Sequence, residues 1–562
     1  MQRLRWCSTV LTVLTLPLFA AETAPSAPAP VRQAMRMLSG KAMAAHDRFL
    51  ASDLLEGRGP GTRGDEIARQ YIASQFESFG LAPAGDNGTY FQRVPLLGVA
   101  TVPDRTSLAF TKNGAPAVGP LKLLDDYVGQ DFKQVENDTI DSDVVFVGHG
   151  AVAPEYRWND YKDLDTRGKT LVMLVDDPPA NAQEPDLFKG KTRTYYGRWT
   201  YKYEIAVVKN AAAVILIHTD ESAGYGWNVV SNSWGAENSF VKNAPGKHAL
   251  QFAGWVSKKT AEDLFKSAGL DLDAMTKAAS SRDFKPVPLG LKFSGKIGST
   301  IRPFDTANVV AKIQGSDPKL RDQAVLYSAH HDHLGIGKPD ASGDKIYNGA
   351  LDNGSGCAIL IEMARVWSKT TPVPKRSIYF AAVAAEEQGL LGSAFLGEHP
   401  PIPAGKIALD INYDMVPELG RVRDVNMNGV ERTTFYPTVE RVTKALGLTI
   451  IPDPEPEQGH YYRSDHFSLG RVGIPAFSID PGQDVVGKDK GWGAKWSADF
   501  RENHYHQPSD QFDPKWDWSE AVQMSELGLW LGWEAANAVT MPNWKTGDEF
   551  RGVRDRSIAA DR

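Results

Sequence analysis

Cysteine is almost missing from this chain: Cys7 and Cys357 are the only two in 562 residues. That excludes a thiolate metal cage and a disulfide framework. A surplus of positive charge is lacking too. The formal net charge of -7 leaves no basic footprint, which excludes nucleic acid as a partner. No internal repeat occurs, and beyond the N-terminal segment no apolar run reaches bilayer length, so the mature chain has no membrane span. What remains is ordinary for a soluble globular protein, with 42% hydrophobic and 23% charged residues. The length allows roughly two to four average domains with ample core burial.

The first residues differ in kind from the rest. Arg3 and Arg5 precede an apolar run from Val10 to Phe19, and Ala20 and Ala21 supply small residues for cleavage. This is the pattern of a secretory signal peptide over residues 1–21, so the expected location is periplasmic or secreted. Cleavage would leave Cys357 alone, and an exported chain without disulfides must rest on its core. Residues 22–35 read as a Pro/Ala-rich linker, and residues 546–562 read as a polar tail.

Between these ends the chain alternates. Ile67, Tyr71, Ile72 and Phe76 fall at helical spacing over Glu66 to Gly80. The glycine-rich stretch Leu55 to Gly64 ahead of it reads as a loop, either a connector or an approach to the active site. Short β-like runs dominate residues 126–293, for example Val144 to Val147, Thr170 to Val175 and Ala213 to Ile217. We read this block as an inserted β-rich domain, with His149, His218 and His248 as packing or surface residues. Strand and helix alternate again from Asn308, which argues an α/β fold: a mostly parallel mixed sheet flanked by helices. Its domain is discontinuous, covering residues 36–125 and 294–545.

Histidines and carboxylates collect where the strands of this second part should stop. Val325-Leu326-Tyr327 leads into His330-His331-Asp332-His333, Ile378 to Val383 leads into Glu386-Glu387, and Ile407-Ala408-Leu409 leads into Asp410 to Asp414. Ligands of open α/β sheets bind beyond such carboxyl ends. Imidazole plus several carboxylates, with no usable thiolate, suits zinc or another borderline divalent ion, singly or as a bridged pair. On a strand His330 and Asp332 share a face while His331 points away. Asp352 either caps the helix that follows it or bridges two cations. Adjacent Glu386 and Glu387 at a buried mouth need positive charge nearby; one would bind metal and the other take a proton from water. Spacing leaves Asp410 and Asp414, and His504 and His506, as alternatives, and a tyrosine beside the ligand could serve an oxyanion.

In this order, His330-x-Asp332, Asp352-Asn-Gly-Ser-Gly, Glu386-Glu387, Asp414 and Tyr505-His506 resemble the M28 family of co-catalytic zinc peptidases. The resemblance implies a zinc-peptidase fold and two Zn2+ ions, one held by His330 and Asp414, the other by Glu387 and His506, with Asp352 bridging. It further implies that Glu386 is the general base, Asp332 orients His330, Tyr505 stabilises the tetrahedral intermediate, and the Asp352-Asn353 peptide is cis. The inserted block is similar to a protease-associated domain, which would cover part of the cleft. The implied function is an exported aminopeptidase acting on peptides. A carboxypeptidase or dipeptidase, with Arg463 as the carboxylate partner, is the alternative, ahead of a glutaminyl cyclase or an inactive receptor-like homologue. His331 and Cys357 depart from the family pattern, and Cys357 is expected to pack behind the site.

Overall fold

The structure is a computed structural model that describes residues 26–223 and 226–560. The proposed signal peptide and the first residues of the proposed linker lie outside this range. Strand Ala324–His330 sits at the heart of a parallel group. Ser377–Val383 runs along one side of it, with Ile407–Asn412 and then Ala476–Ser478 on the other. The strand Val287–Ile313 joins antiparallel to Ser377–Val383, and Phe91–Thr101 joins antiparallel beyond it.

The apolar runs are unbroken because both faces of this sheet are covered. Along the central strand Val325, Tyr327 and Ala329 pack on one side in a core shared with helices Gly40–Leu50, Arg63–Ser78, Gly356–Ser368 and Ser519–Asn537. Ala324 and Leu326 pack on the other, with Leu396 and Leu469. Period two then places the polar Ser328 and His330 with the second set, at the carboxyl end of the strand. Helix Arg63–Ser78 begins three residues before the periodicity predicts, because the side chain of Thr62 accepts the Asp65 N–H as an N-cap.

A second group of parallel strands, Asn137–Phe146, Thr170–Leu174, Ala213–Ile217 and Phe252–Val256, lies within the block read as β-rich. That block also carries helices, among them Trp199–Val208, Lys258–Ser267 and Leu272–Ala279. The 27-residue strand Val287–Ile313 pairs with Asn137–Phe146 through its first half and with Phe91–Thr101 through its second. The position chosen for the domain boundary, 293/294, therefore falls inside one continuous strand.

Two segments differ from the sequence reading. Residues 22–35 are not linker throughout, because Ala29–Met35 is helical and buries Val31 and Ala34. Pro30 stands in its first turn, where a missing N–H costs nothing. Within the proposed tail of residues 546–562, the described residues 546–560 are not free. Helix Arg551–Ala560 buries Arg554, which donates to the carbonyls of Ala404 (2.8 Å) and Ile407 (2.9 Å). Just before it, Asp548 and Glu549 close on the buried Arg432 at 2.7 and 2.6 Å. Polar composition concealed these contacts, because each charge is cancelled only by a partner far away in sequence. Among the described residues no helix is long and apolar enough to cross a membrane.

Arg432 also lies against the rings of Tyr461, Trp544 and Phe550. Arg432→Met should leave two buried carboxylates unpaired and lower unfolding stability by about 3 kcal/mol or more. Urea unfolding measures this, and a stability indistinguishable from the parent would mean that the C-terminal helix is not integral to the fold.

Candidate metal centre

Beyond the carboxyl ends of the parallel strands, four carboxylates and three imidazoles converge. His330 ends its strand and directs Nε2 to within 3.3 Å of Asp352 Oδ1 and 3.3 Å of Asp414 Oδ1. His506 Nε2 lies 3.3 Å from Asp352 Oδ2 and 3.1 Å from Glu387 Oε2. The two oxygens of Asp352 thus face two different histidines. Asp352 does not cap the helix that follows, and its peptide bond to Asn353 is cis, as the resemblance implies.

These separations discriminate between two explanations. A direct charge-assisted hydrogen bond measures about 2.7–2.9 Å. Two ligands at about 2.0–2.1 Å on a tetrahedral ion stand roughly 3.3 Å apart. The imidazole–carboxylate gaps match the second case, so the residues fit a cation on each side of Asp352. The donor set, nitrogen and oxygen without sulfur, suits zinc. His333 behaves differently: its Nδ1 is 2.7 Å from Glu387 Oε1, a direct hydrogen bond. His333, Asp352 and Glu387 do offer ligand atoms within 4.8 Å of one another. The short contact nevertheless marks His333 as the residue that holds Glu387 in place.

Electrostatics agree. Burial pushes Glu386 well above the usual carboxylate range, with Glu387 and Asp414 adding to the push. Burial opposes a charge on His506, yet the neighbouring carboxylates of Asp352 and Glu387 raise it to about 10. Glu387 falls to about 2 despite burial and the nearby Asp352, because His333 and His506 stabilise its anion. Four carboxylates around these rings amount to a buried surplus of negative charge, which is costly without cations.

Several residues position the centre. Arg58, buried in the glycine-rich loop, donates to the carbonyls of His331 (2.8 Å), Asn348 (2.6 Å) and Gly349 (2.9 Å). The loop is therefore an approach to the site rather than a connector. Gly57 beside it has φ 72°, and a Cβ there would stand 2.5 Å from the Gly335 and Tyr347 carbonyl oxygens, so only glycine fits. Asn353 donates to the Tyr413 carbonyl (2.9 Å) and accepts from the N–H of Met415 (3.2 Å), tying the Asp352 turn to the Asp414 segment. Ser464 donates to Asp414 at 2.6 Å. Asp510, four residues after His506, accepts the backbone N–H groups of Leu351 (2.9 Å) and Asp352 (3.1 Å). Ala385, Met415 and His506 all take positive φ, unusual for residues other than glycine, directly beside or at the converging groups.

The alternatives left by spacing resolve. Asp414 reaches His330, whereas Asp410 is buried and accepts from Ser328 at 3.0 Å. His506 enters the site, whereas His504 bonds Ser509 on the outside. His331 points away, with Nε2 3.2 Å from the Ala307 carbonyl, and burial lowers it to about 3. Cys357 packs behind His330 with its thiol on the His330 carbonyl. One expected contact is corrected. The Asp332 carboxylate is 3.8 Å from His330 Nδ1, too far for a hydrogen bond, and Nδ1 lies 3.2 Å from the Asp332 carbonyl instead. The carboxylate accepts the N–H groups of Glu386 (3.0 Å) and Glu387 (3.3 Å) because the chain turns after His330 and carries it toward that pair. Tyr505 stacks on His506 and lines a cavity of about 490 Å3 together with Asp352, Glu386 and Asp414.

Removing the Asp510 carboxylate should loosen the Asp352 turn without touching a proposed ligand. Asp510→Ala is expected to weaken metal binding by roughly 10–100-fold, read by competition with a chelator. Unchanged affinity would show that the turn holds its shape unaided.

Residues 308–529 match the sequence profile of peptidase family M28. A probable zinc metalloprotease of Pyrenophora teres f. teres is 36% identical over 126 residues, which is 22% of this chain and 26% of the relative. Leupeptin-inactivating enzyme 1 of Streptomyces exfoliatus is 28% identical over 214 residues, 36% of this chain and 42% of the relative. The chain spans about a quarter of the length of the fungal relatives it matches. Among solved structures, an aminopeptidase from Aneurinibacillus sp. strain AM-1 aligns over 91% of this chain and 97% of its own, with 18% identity and a TM-score of 0.46. The sequence match and the converged centre fall on the same residues: the segment 308–529 carries the match to peptidase family M28 together with every converging group.

Proposed function

We propose that this chain is an exported aminopeptidase working with two zinc ions. The observation that carries the reading is the pair of imidazole–carboxylate groups sharing Asp352, spaced as ligands of two cations rather than as hydrogen-bonded partners. In this reading His330 and Asp414 hold one ion, Glu387 and His506 hold the other, and Asp352 bridges. Bound there, the ions would supply Lewis-acid polarisation and make water more acidic. The names of the fungal relatives support zinc for those proteins.

The remaining steps belong to side chains. Glu386 lines the cavity, takes the proton of the attacking water and returns it to the departing amine. Tyr505 keeps its phenol proton, since burial and the surrounding carboxylates raise it, and so can donate to the developing oxyanion. Asp332 and His333 act through others, the first by bracing the Glu386–Glu387 amides and the second by holding the Glu387 carboxylate. The carboxylates beside the centre favour the free amino group of a peptide over its carboxylate. Arg463 lines the same cavity and favours a dipeptidase as the second reading. Export rests on Arg3, Arg5 and the run from Val10 to Phe19, which support removal of residues 1–21 and a periplasmic or extracellular location.

Glu386→Gln should retain bound metal and lose turnover by roughly 10^2–10^4-fold; a near-normal rate would remove Glu386 as the base. Peptide hydrolysis separates the two readings. An aminopeptidase cleaves carboxyl-amidated peptides and spares amino-blocked ones, whereas dependence on a free carboxylate would replace it with the dipeptidase.

A further inference from the structure

Outside the centre, the cavity holds one carboxylate that forms no ion pair among the described residues. Besides Asp352, Glu386 and Asp414, its acids are Asp453, Glu455 and Asp480. Asp453 is paired with His460 at 3.1 Å, and Glu455 with Arg501 at 3.1 Å. Asp480 accepts only neutral donors, the Ser478 hydroxyl at 2.8 Å and the Asn428 amide at 3.3 Å. The charged groups that act on it are Asp414 and His460, and among the described residues no lysine or arginine forms an ion pair with it. Burial, with Asp414 adding, raises it to about 7, so a cation brought against it would restore its ionised form.

Its place on the sheet decides which cation fits. Strand Ala476–Ser478 runs parallel to Ile407–Asn412, with Ser478 opposite Asn412. Asp414 follows two residues beyond Asn412 and Asp480 two residues beyond Ser478, where the chain has passed into strand Asp480–Pro481, paired antiparallel with Asp424–Asn426. The α-amino nitrogen of a substrate is tied to its scissile carbonyl by two bonds, about 2.5 Å, so it stays at the centre itself. Asp480 lines the same cavity as Asp414 and Glu386 but lies beyond a neighbouring strand end, where a long side chain can reach it. Trp496 and Phe500, stacked at 5.3 Å, line the same cavity and offer apolar surface to the methylene stem of such a side chain.

We propose that Asp480 is a specificity residue that binds the cationic side chain of an amino-terminal lysine or arginine, making peptides with basic first residues the preferred substrates. The proposal rests on the aminopeptidase reading and names its substrate class.

The test uses the full-length, zinc-loaded protein with aminoacyl anilides of lysine, arginine, norleucine and glutamate; lysine and norleucine share a stem and differ in charge. The lysyl and arginyl compounds should exceed norleucyl in kcat/KM by roughly 10-fold or more, with glutamyl slowest. Asp480→Asn should cut the lysyl and arginyl values by roughly 10–100-fold and leave norleucyl within about 3-fold, while Asp480→Glu retains a basic preference. A parent protein that cleaves norleucyl as well as lysyl overturns this proposal alone, and needs no variant to fold. Equal losses on all substrates in a folded Asp480→Asn protein also overturn it, and would make Asp480 an anchor of the α-amine. Failure to cleave any free-amine substrate overturns the aminopeptidase reading and this proposal together.

Discussion

Everything in this fold answers to one electrostatic constraint: four carboxylates stand with their charges converging on three imidazoles, His330, His333 and His506, beyond the ends of the sheet. Asp352, Glu386, Glu387 and Asp414 arrive on separate segments, and nothing in the surrounding apolar core can disperse their charge. Cations resolve this at short range, and the 3.1–3.3 Å nitrogen–oxygen gaps leave room for them. The sheet makes the convergence possible. Parallel strands covered on both faces end together, so the side chains that follow His330, Val383 and Asn412 meet in one crevice.

A site built from so many chain segments needs bracing, and the bracing is mostly main chain. Arg58 gathers three carbonyls, Asp332 takes two amides of the glutamate pair, and Asp510 takes two amides of the Asp352 turn. Asn353 links the segments carrying Asp352 and Asp414. His506 and Asp510 leave the same loop, so one segment supplies a ligand candidate and the clamp on the bridging residue. The long strand Val287–Ile313 couples this assembly to the second group of strands as one continuous ladder.

The parallel strands were legible in the sequence because each is an unbroken apolar run ending in polar residues, and the converging groups were legible because those ends carry unusual acids and histidines. The general role of Glu386 against Glu387 came from the family resemblance, since spacing treats the two alike. Geometry now distinguishes them: Glu387 meets His333 and His506, while Glu386 faces the cavity. Other features had no local signal. Arg58 and Arg432 read as surface charges until partners 273 and 116 residues away enclose them. His333 lies beyond the end of its strand, where alternation no longer predicts direction. Asp510 left one trace, a carboxylate in the loop that holds His506. Helix Arg551–Ala560 was hidden by its polarity.

The central claim is a pair of cation sites joined by Asp352. Metal binding measured by calorimetric titration of the zinc-free protein, for the parent and for Asp352→Ala, tests it most directly. The account predicts two equivalents per chain in the parent and weakened binding of both in the variant. A single equivalent in the parent, or two undiminished equivalents in the variant, would contradict it.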